Sequence, residues 1–350
     1  MIKKGLIAIG LLSAFSLHAQ DVNNYTPGIT EEGVVYYLPK TRLEIKVTAT
    51  KHIYTPGDLC QYANRYLRIS NISSQPMEHW ELNSVQLHAL GVPDSQKAYA
   101  IKLKDKSVAS QVELTEDGII KAINTKAPQE KITPEVAKAE KEPRVDPRSF
   151  MTEEILLAGS KNKMAELIAR EIYNIRESKN SLTRGQADYM PQDGTALKLM
   201  LNNLEIQEKA MTEMFIGFTE QSEQTFTFYV EPEKEMQDQV VFRFSKKLGV
   251  LKEDNLAGEP IYITIKNESN LPQANEEGKA KKKMEGVIYN IPGKALITLK
   301  GNGKQFVNEE VLLTQFGETE VLIDNLFNKK VNTRVIFNPT TGGIVKIEKD

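Results

Sequence analysis

Glu32-Gly33-Val34-Val35-Tyr36-Tyr37-Leu38-Pro39 stands near the start of the chain, and Glu285-Gly286-Val287-Ile288-Tyr289-Asn290-Ile291-Pro292 near its end. The offset is 253 residues; five of the eight positions are identical and two more exchange one aliphatic residue for another. β-Branched and aromatic residues suit a pleated, half-buried surface, so each stretch reads as a strand. Gly33 gives a flexible start. The closing proline lacks an N–H and biases the residue before it to extended geometry, so the strand should end or bulge there. Beyond it, Leu43, Ile45 and Val47 alternate with Glu44 and Lys46. Ala295, Ile297 and Leu299 do the same after the second stretch, again with a period of two. The pattern predicts one β unit used at both ends of the chain, with other material between.

The 350 residues are enough for two ordinary domains, and 40% hydrophobic content supports a packed core. A net charge of −2 offers no broad basic field for nucleic acid or an anionic membrane. The first residues read as a secretory signal, 1–19. Lys3-Lys4 is the basic start, Gly5 to Leu17 the apolar run, and Ala19 the expected cleavage point. That run is short for a bilayer span, and no later run is long enough to cross in the mature chain. Cys60 is the sole cysteine, so no intramolecular disulfide forms and stability must come from packing. The chain is expected to be exported, to the periplasm or in association with an outer membrane.

Residues 21–31 read as a loose polar arm. Residues 32–123 read as a β-rich domain. Within it lie a turn at Tyr54-Thr55-Pro56-Gly57-Asp58, the run Leu59 to Ile69, and alternating runs at Trp80 to Leu90 and Ala98 to Leu103. Asp117-Gly118 closes a hairpin. Residues 124–148 are rich in Lys, Glu and Pro and read as a linker or exposed loop. Residues 150–218 carry apolar residues three and four apart and read as a helical hairpin, with Ser160 and Thr195 as N-caps. Residues 222–350 return to strands and contain the second stretch, with a basic run at Lys279 to Lys283 and a hairpin turn at Asn338 to Gly343. Gln61-Tyr62-Ala63 and Gln315-Phe316-Gly317 echo each other near the same offset. The expected class is α+β, with two related antiparallel, sandwich-like β units and a central helical hairpin.

Chemistry is sparse. His52, His79 and His88 show no metal-ligand spacing, so no metal and no cofactor is expected. Glu78 and His79 are adjacent on a strand and point to opposite faces, which rules out a dyad. Cys60 reads as a small residue shielded in a strand. No nucleophile elbow, phosphate loop or dinucleotide fingerprint occurs. Four residues are candidates for binding. Arg176 and Arg184 could hold an anion, though pairing with neighbouring glutamates also accounts for such arginines. Asp193 and Glu208 could form a carboxylate pair, although Asp193 also reads as a turn residue and Glu208 as a solvated helix residue.

Ile172-Tyr173-Asn174-Ile175-Arg176-Glu177-Ser178, Leu182-Thr183-Arg184-Gly185, Pro191-Gln192-Asp193-Gly194 and Leu204 through Gly217, together with the two Gly-Val-x-Tyr-x-x-Pro stretches, resemble an uncharacterised family of exported Bacteroidetes proteins. The resemblance implies compartment and architecture and carries no activity. The expected role is a non-enzymatic cell-envelope protein that binds or scaffolds, with an envelope protein or a glycan as partner. The alternatives are a periplasmic hydrolase whose carboxylates are gathered from distant strands, and an accessory subunit of an outer-membrane complex.

Overall fold

The computed structural model describes residues 28–30, 33–102, 112–128, 144–191, 193–269, 286–323 and 333–349. The expected signal segment, most of the polar arm, the centre of the 124–148 stretch and the basic run at 279–283 lie outside the described residues.

The proline bulges its strand without ending it. Strand β2 (Gly33–Thr55), which follows the short β1 (Gly28–Thr30), runs antiparallel to β3 (Met77–Lys102). Tyr37 faces Ala98 and Pro39 faces Pro93, so Leu38 stands opposite residues 94–97. The second stretch does likewise. It opens β10 (Gly286–Gly301), which pairs with β11 (Lys304–Ile323). Ile291 faces Glu318 and Gly293 faces Leu313, so Pro292 stands opposite residues 314–317. In each hairpin one residue at the proline kink is matched by an excursion in the partner strand, which bends the ribbon there.

The two bends touch. The Tyr36 hydroxyl donates to the Ile288 carbonyl at 2.9 Å and accepts from the Ile288 N–H at 2.9 Å. Asn290 Nδ2 donates to the carbonyls of Pro39 and Thr341, each at 3.0 Å. Gln315 Nε2 donates to the Thr41 carbonyl at 2.7 Å, and Thr314 Oγ1 accepts from the Thr41 N–H at 2.9 Å. These buried polar groups are satisfied by each other's hairpin, which fixes how the two cross.

Three antiparallel sheets result, and the fold is predominantly strand with a helical part, a mixed α+β architecture. In the first sheet β2 is flanked by β3 on one side and by β6 (Phe218–Val230), with β1 at its start, on the other. The second has the order β11, β10, β9 (Glu259–Asn267), β7 (Met236–Ser245), β8 (Gly249–Leu251). The third has β13 (Ile344–Lys349), β12 (Thr333–Phe337), β5 (Ile120–Ile123) and β4 (Val112–Leu114). The first and third sheets draw strands from both the 32–123 and the 218–350 stretches.

The alternation after Pro39 has its expected use. Leu43, Ile45, Val47 and Ala49 are buried against Phe242, Ile261, Ile263, Ile265, Ile297 and Leu299, so the first and second sheets share one apolar layer. Along β3 the apolar alternation shifts phase between Leu82 and Val85, and the shift has a cause. Thr48 faces Ser84 and Ala49 faces Leu82, so Asn83 bulges and its side chain donates to Thr50 Oγ1 at 2.8 Å. Tyr36, Leu38, Ile120, Val287, Val335 and Phe337 form a further cluster beneath the bends.

The helical part corrects four readings. Leu59 to Ile69 is not strand: Cys60–Tyr62 is a 3₁₀ turn and α1 spans Ala63–Leu67. Leu59, Ala63 and Leu67 are four apart, a helical spacing, and all are buried. Cys60 accordingly lies on that turn, half-buried, and not in a strand. The Gln61 and Gln315 echoes fall in a 3₁₀ turn and in β11, so they share no conformation. The helices α2 (Glu153–Leu156), α3 (Lys161–Thr183) and α4 (Gly194–Ile216) follow. Ser160 caps α3 by accepting from the Lys163 N–H, as expected. Asp193, rather than Thr195, caps α4, accepting from the N–H groups of Thr195 and Ala196 at 2.7 Å. A carboxylate does this well because the first N–H groups of a helix lack partners and carry partial positive charge. Ile168, Ile172, Met211 and Phe215 pack α3, α4 and α1 together. The Leu59 N–H donates to the Met214 carbonyl at 2.8 Å, tying the end of β2 to the end of α4.

Candidate functional site

Strand β6 changes character along its length. Phe226, Phe228 and Val230 alternate into the shared core, where Phe228 stacks on Phe242 at 5.1 Å between ring centres. Thr219 to Thr225 is polar and exposed on both faces. Among the described residues β6 pairs with β2 alone. Its outer edge therefore presents a row of main-chain N–H and C=O groups without a strand partner. Strand β7 is bare in a related way. It pairs with β9 on one side, but with β8 only through Arg243 to Ser245 on the other. The outer edge of its first part, 236–242, has no strand partner among the described residues.

Cavities follow these edges. One of about 690 Å³ lies against Thr219 to Ser222 of β6, with an apolar wall of Ile53, Ile206, Ala210 and Phe218. One of about 620 Å³ lies between Thr227 to Glu231 and the β7 residues Met236, Gln239 and Val240. Both volumes are in the ordinary range for binding sites. A third, of about 380 Å³, lies beyond Phe218 against Asp58, Arg148 and Met151. Arg144, Glu213 and Phe218 border both the first and the third. Arg144 lies 3.5 Å above the Phe218 ring centre, and its Nε is 3.0 Å from Glu213 Oε2. A residue that reads as linker in the sequence is thus wedged between helix and sheet.

At the second cavity Glu231 holds Lys40 at 2.6 Å and Arg42 through Nε at 2.7 Å. The Lys40 and Arg42 hydrogen bonds keep its carboxyl below the usual value despite partial burial.

The four sequence candidates lie elsewhere, and none lines these cavities. Arg176 Nε meets Glu208 Oε1 at 2.6 Å, and Lys179 Nζ meets Glu208 Oε2 at 3.1 Å, an ion-pair bridge from α3 to α4. Burial opposes ionisation of Glu208, but the hydrogen bonds from Arg176 and Lys179 prevail and hold its carboxyl below the usual value. Asp193 begins α4 and Glu208 sits four turns on, about 22 Å along the axis at 1.5 Å per residue, too far to work as a pair. Arg184 is the C-cap of α3, its N–H donating to Asn180 and Leu182 carbonyls.

The fold also joins two histidines that spacing could not connect. His52 and His79 face each other across β2 and β3, stacked at 4.7 Å, with His52 Nε2 3.4 Å from Glu81 Oε2. Glu78 points the other way and pairs with Lys51, as alternation requires. Among the described residues no three His, Cys, Asp or Glu side chains stand ready to hold a metal ion. The polar run Thr219 to Thr225, ahead of an alternating apolar run, was the one sequence signal for an exposed edge strand.

The fold and these edges define a strand-dominated α+β protein with a furrow along β6, walled by α4 at one end and by β7 at the other. The chain belongs to the family described as a domain of unknown function (DUF4831), whose model matches residues 32–345. Comparison with the curated proteins and with the solved structures gave no match. No helix among the described residues is long and apolar enough to cross a membrane.

Proposed function

We propose that this is an exported, non-enzymatic cell-envelope protein of Bacteroidetes that binds or scaffolds a partner, with the furrow along β6 as its contact. The observation that carries the reading is the furrow itself: edges of β6 and of the first part of β7 that have no strand partner among the described residues, bordered by two cavities with mixed polar and apolar walls. Of the charged groups that border it, Arg144 pairs with Glu213, and Glu231 with Lys40 and Arg42, which ties the walls together. The basic and then apolar amino-terminal stretch supports export to the periplasm or the outer membrane.

The proposal includes its architecture: a duplicated, sandwich-like β unit with a helical hairpin inserted between the copies. Support comes from the shared Gly-Val-x-Tyr-x-x-Pro and from the matching bends, one residue opposite residues 94–97 and one opposite residues 314–317.

The test is capture of tagged protein from envelope fractions of its host, with a photo-reactive residue at Ser222 on β6 or, for comparison, at Val345 on β13. A stoichiometric partner cross-linked from Ser222 and not from Val345 is the expected result. Absence of any partner, together with reproducible hydrolysis in a glycan and peptide screen, overturns the proposal.

A further inference from the structure

We propose that β6 pairs edge to edge with β6 of a second copy of this chain, antiparallel about a twofold axis at Ser222. This rests on the reading of the β6 edge as a contact and names the occupant of its first half. Phe218 to Phe226 reads Phe-Thr-Glu-Gln-Ser-Glu-Gln-Thr-Phe. Reversed, it is the same sequence with glutamate and glutamine exchanged. Two such strands, antiparallel about Ser222, set Phe218 opposite Phe226, Thr219 opposite Thr225, Glu220 opposite Gln224 and Gln221 opposite Glu223. Each carboxylate meets a glutamine, whose amide is a donor, and threonine meets threonine. Opposed pairs of this kind stabilise a sheet.

The fold presents the same nine residues. Thr219 to Thr225 are exposed on both faces, and Phe218 and Phe226, which bound them, are half-buried. One edge of the stretch pairs with β2, and the other has no strand partner among the described residues. What satisfies such an edge is another extended backbone. The cavity of about 690 Å³ lies against Thr219 to Ser222, so there is space beside it. Arg144, Lys209, Glu213 and Glu220 border that cavity and carry both signs, so charge selects no acidic or basic occupant.

Register selects instead. A twofold axis perpendicular to the sheet keeps each residue opposite one on the same face, so it must be centred on a residue. Centred on Glu220 or on Glu223, it would set a carboxylate against its own copy. Centred on Ser222, it sets none, and it pairs all nine residues along about 31 Å of edge. The two first sheets then become one. Thr227 to Glu231 and the cavity of about 620 Å³ beside them stay outside the pairing, open to an envelope partner.

Light scattering on the full chain from about 1 to about 200 micromolar should show a monomer–dimer equilibrium, because one strand pair is at the small end of interfaces. Gln224→Glu sets a carboxylate against Glu220 at two symmetric contacts and should weaken the dimer at least about tenfold. Gln224→Lys sets an ammonium there and should tighten it by a similar factor. Both should keep the circular dichroism of the wild type. Register is read by oxidation in a Cys60→Ala background. Ser222→Cys places two sulfurs directly opposite and should give a covalent dimer. Gln224→Cys places them four residues apart along the strands, about 13 Å, beyond disulfide reach, and should not.

A monomer throughout the range, equal dissociation constants for the two charged Gln224 variants, or oxidation that links Gln224→Cys and not Ser222→Cys overturns self-pairing. So does a Ser222 photo-cross-link to a different protein and not to a second copy, which leaves the β6 edge standing as a contact. A monomer with no protein cross-linked from Ser222 overturns both.

Discussion

Tyr36 shows how much one position of the repeated stretch does. Its hydroxyl meets both the N–H and the C=O of Ile288, and it lies in the cluster with Leu38, Val287 and Phe337. Tyr36→Phe leaves a part-buried N–H and C=O without that partner, and should cost about 1–3 kcal/mol in urea unfolding. The position also gives an alkaline signature. Burial pushes the Tyr36 phenol far above the ordinary tyrosine value, against the smaller effect of the Ile288 hydrogen bond. The folded state therefore holds this proton more tightly than the unfolded chain. The associated stability is whole below the unfolded value of about 10 and is lost as pH rises above it towards the folded value. Unfolding midpoints of the wild type should fall more steeply above about pH 10 than those of Tyr36→Phe. Equal slopes would show that the phenol does not titrate differently in the two states. Glu208 has the opposite sign. Its folded value is depressed, so its contribution is present above the unfolded value of about 4.3 and fades as pH falls through the folded value. Because Arg176 and Lys179 are partly exposed, solvent screening keeps the bridge small. Glu208→Gln should cost about 0.5–1 kcal/mol at pH 7 and lose part of the acid-side slope between about pH 5 and 3.

At the scale of elements the prolines explain the bends, and at the second bend two glycines permit it, Gly293 beside Pro292 and Gly317 in the partner strand. A Cβ on Gly317 would overlap the Ile291 carbonyl oxygen, and one on Gly293 the Phe316 carbonyl oxygen. These neighbours are backbone and cannot step aside. Gly317→Ala should therefore cost about 3 kcal/mol, measured as a lower denaturant midpoint, and a fall below about 0.5 kcal/mol would show that the bend is soft. At the head of α4, Asp193→Ala removes an acceptor for two N–H groups and should cost about 1 kcal/mol, whereas Thr195→Ala should cost less. Local pattern made much of this legible. Alternation after each proline marks core strands, spacing by three and four marks α3 and α4, and Asp117-Gly118 and Asn338 to Gly343 mark turns that the structure contains. Where two signals compete the reading fails. Leu59, Ala63 and Leu67 lie among tyrosines that favour strands, and only packing against α3 and α4 selects the helical spacing. The polar run Thr219 to Thr225 is the one local mark of an exposed strand, and the furrow as a whole was not legible, because which edges remain unpaired depends on strand pairing between distant segments.

At the scale of the whole molecule, the sheets bind distant parts of the chain to one another. Strand β12 pairs with β5 through Val335 with Ile123, and β6 pairs with β2 along Leu43 to Thr55. The crossed bends join residues about 250 positions apart in the chain through Tyr36 and Asn290. If the 32–123 and 222–350 stretches were separate folding domains, each would keep its own sheets, but here the first and third sheets need strands from both ends. One cooperative transition is therefore expected, although the chain is long enough for two domains. Trp80 provides the probe. It is the sole tryptophan and is buried in the layer between the first two sheets, with Gly249 close beneath its ring. Its fluorescence reports that layer, while circular dichroism at the helix minimum reports α3 and α4. The Leu59 to Met214 bond and the packing of Leu59 and Leu67 on α3 and α4 couple the two. The two signals should fall at one urea concentration with one slope, and loss of 333–350 should shift both together, because it strips β5 of one of its two strand partners. A helical transition that precedes the tryptophan change would instead make the helical part a separately unfolding unit attached to a β framework.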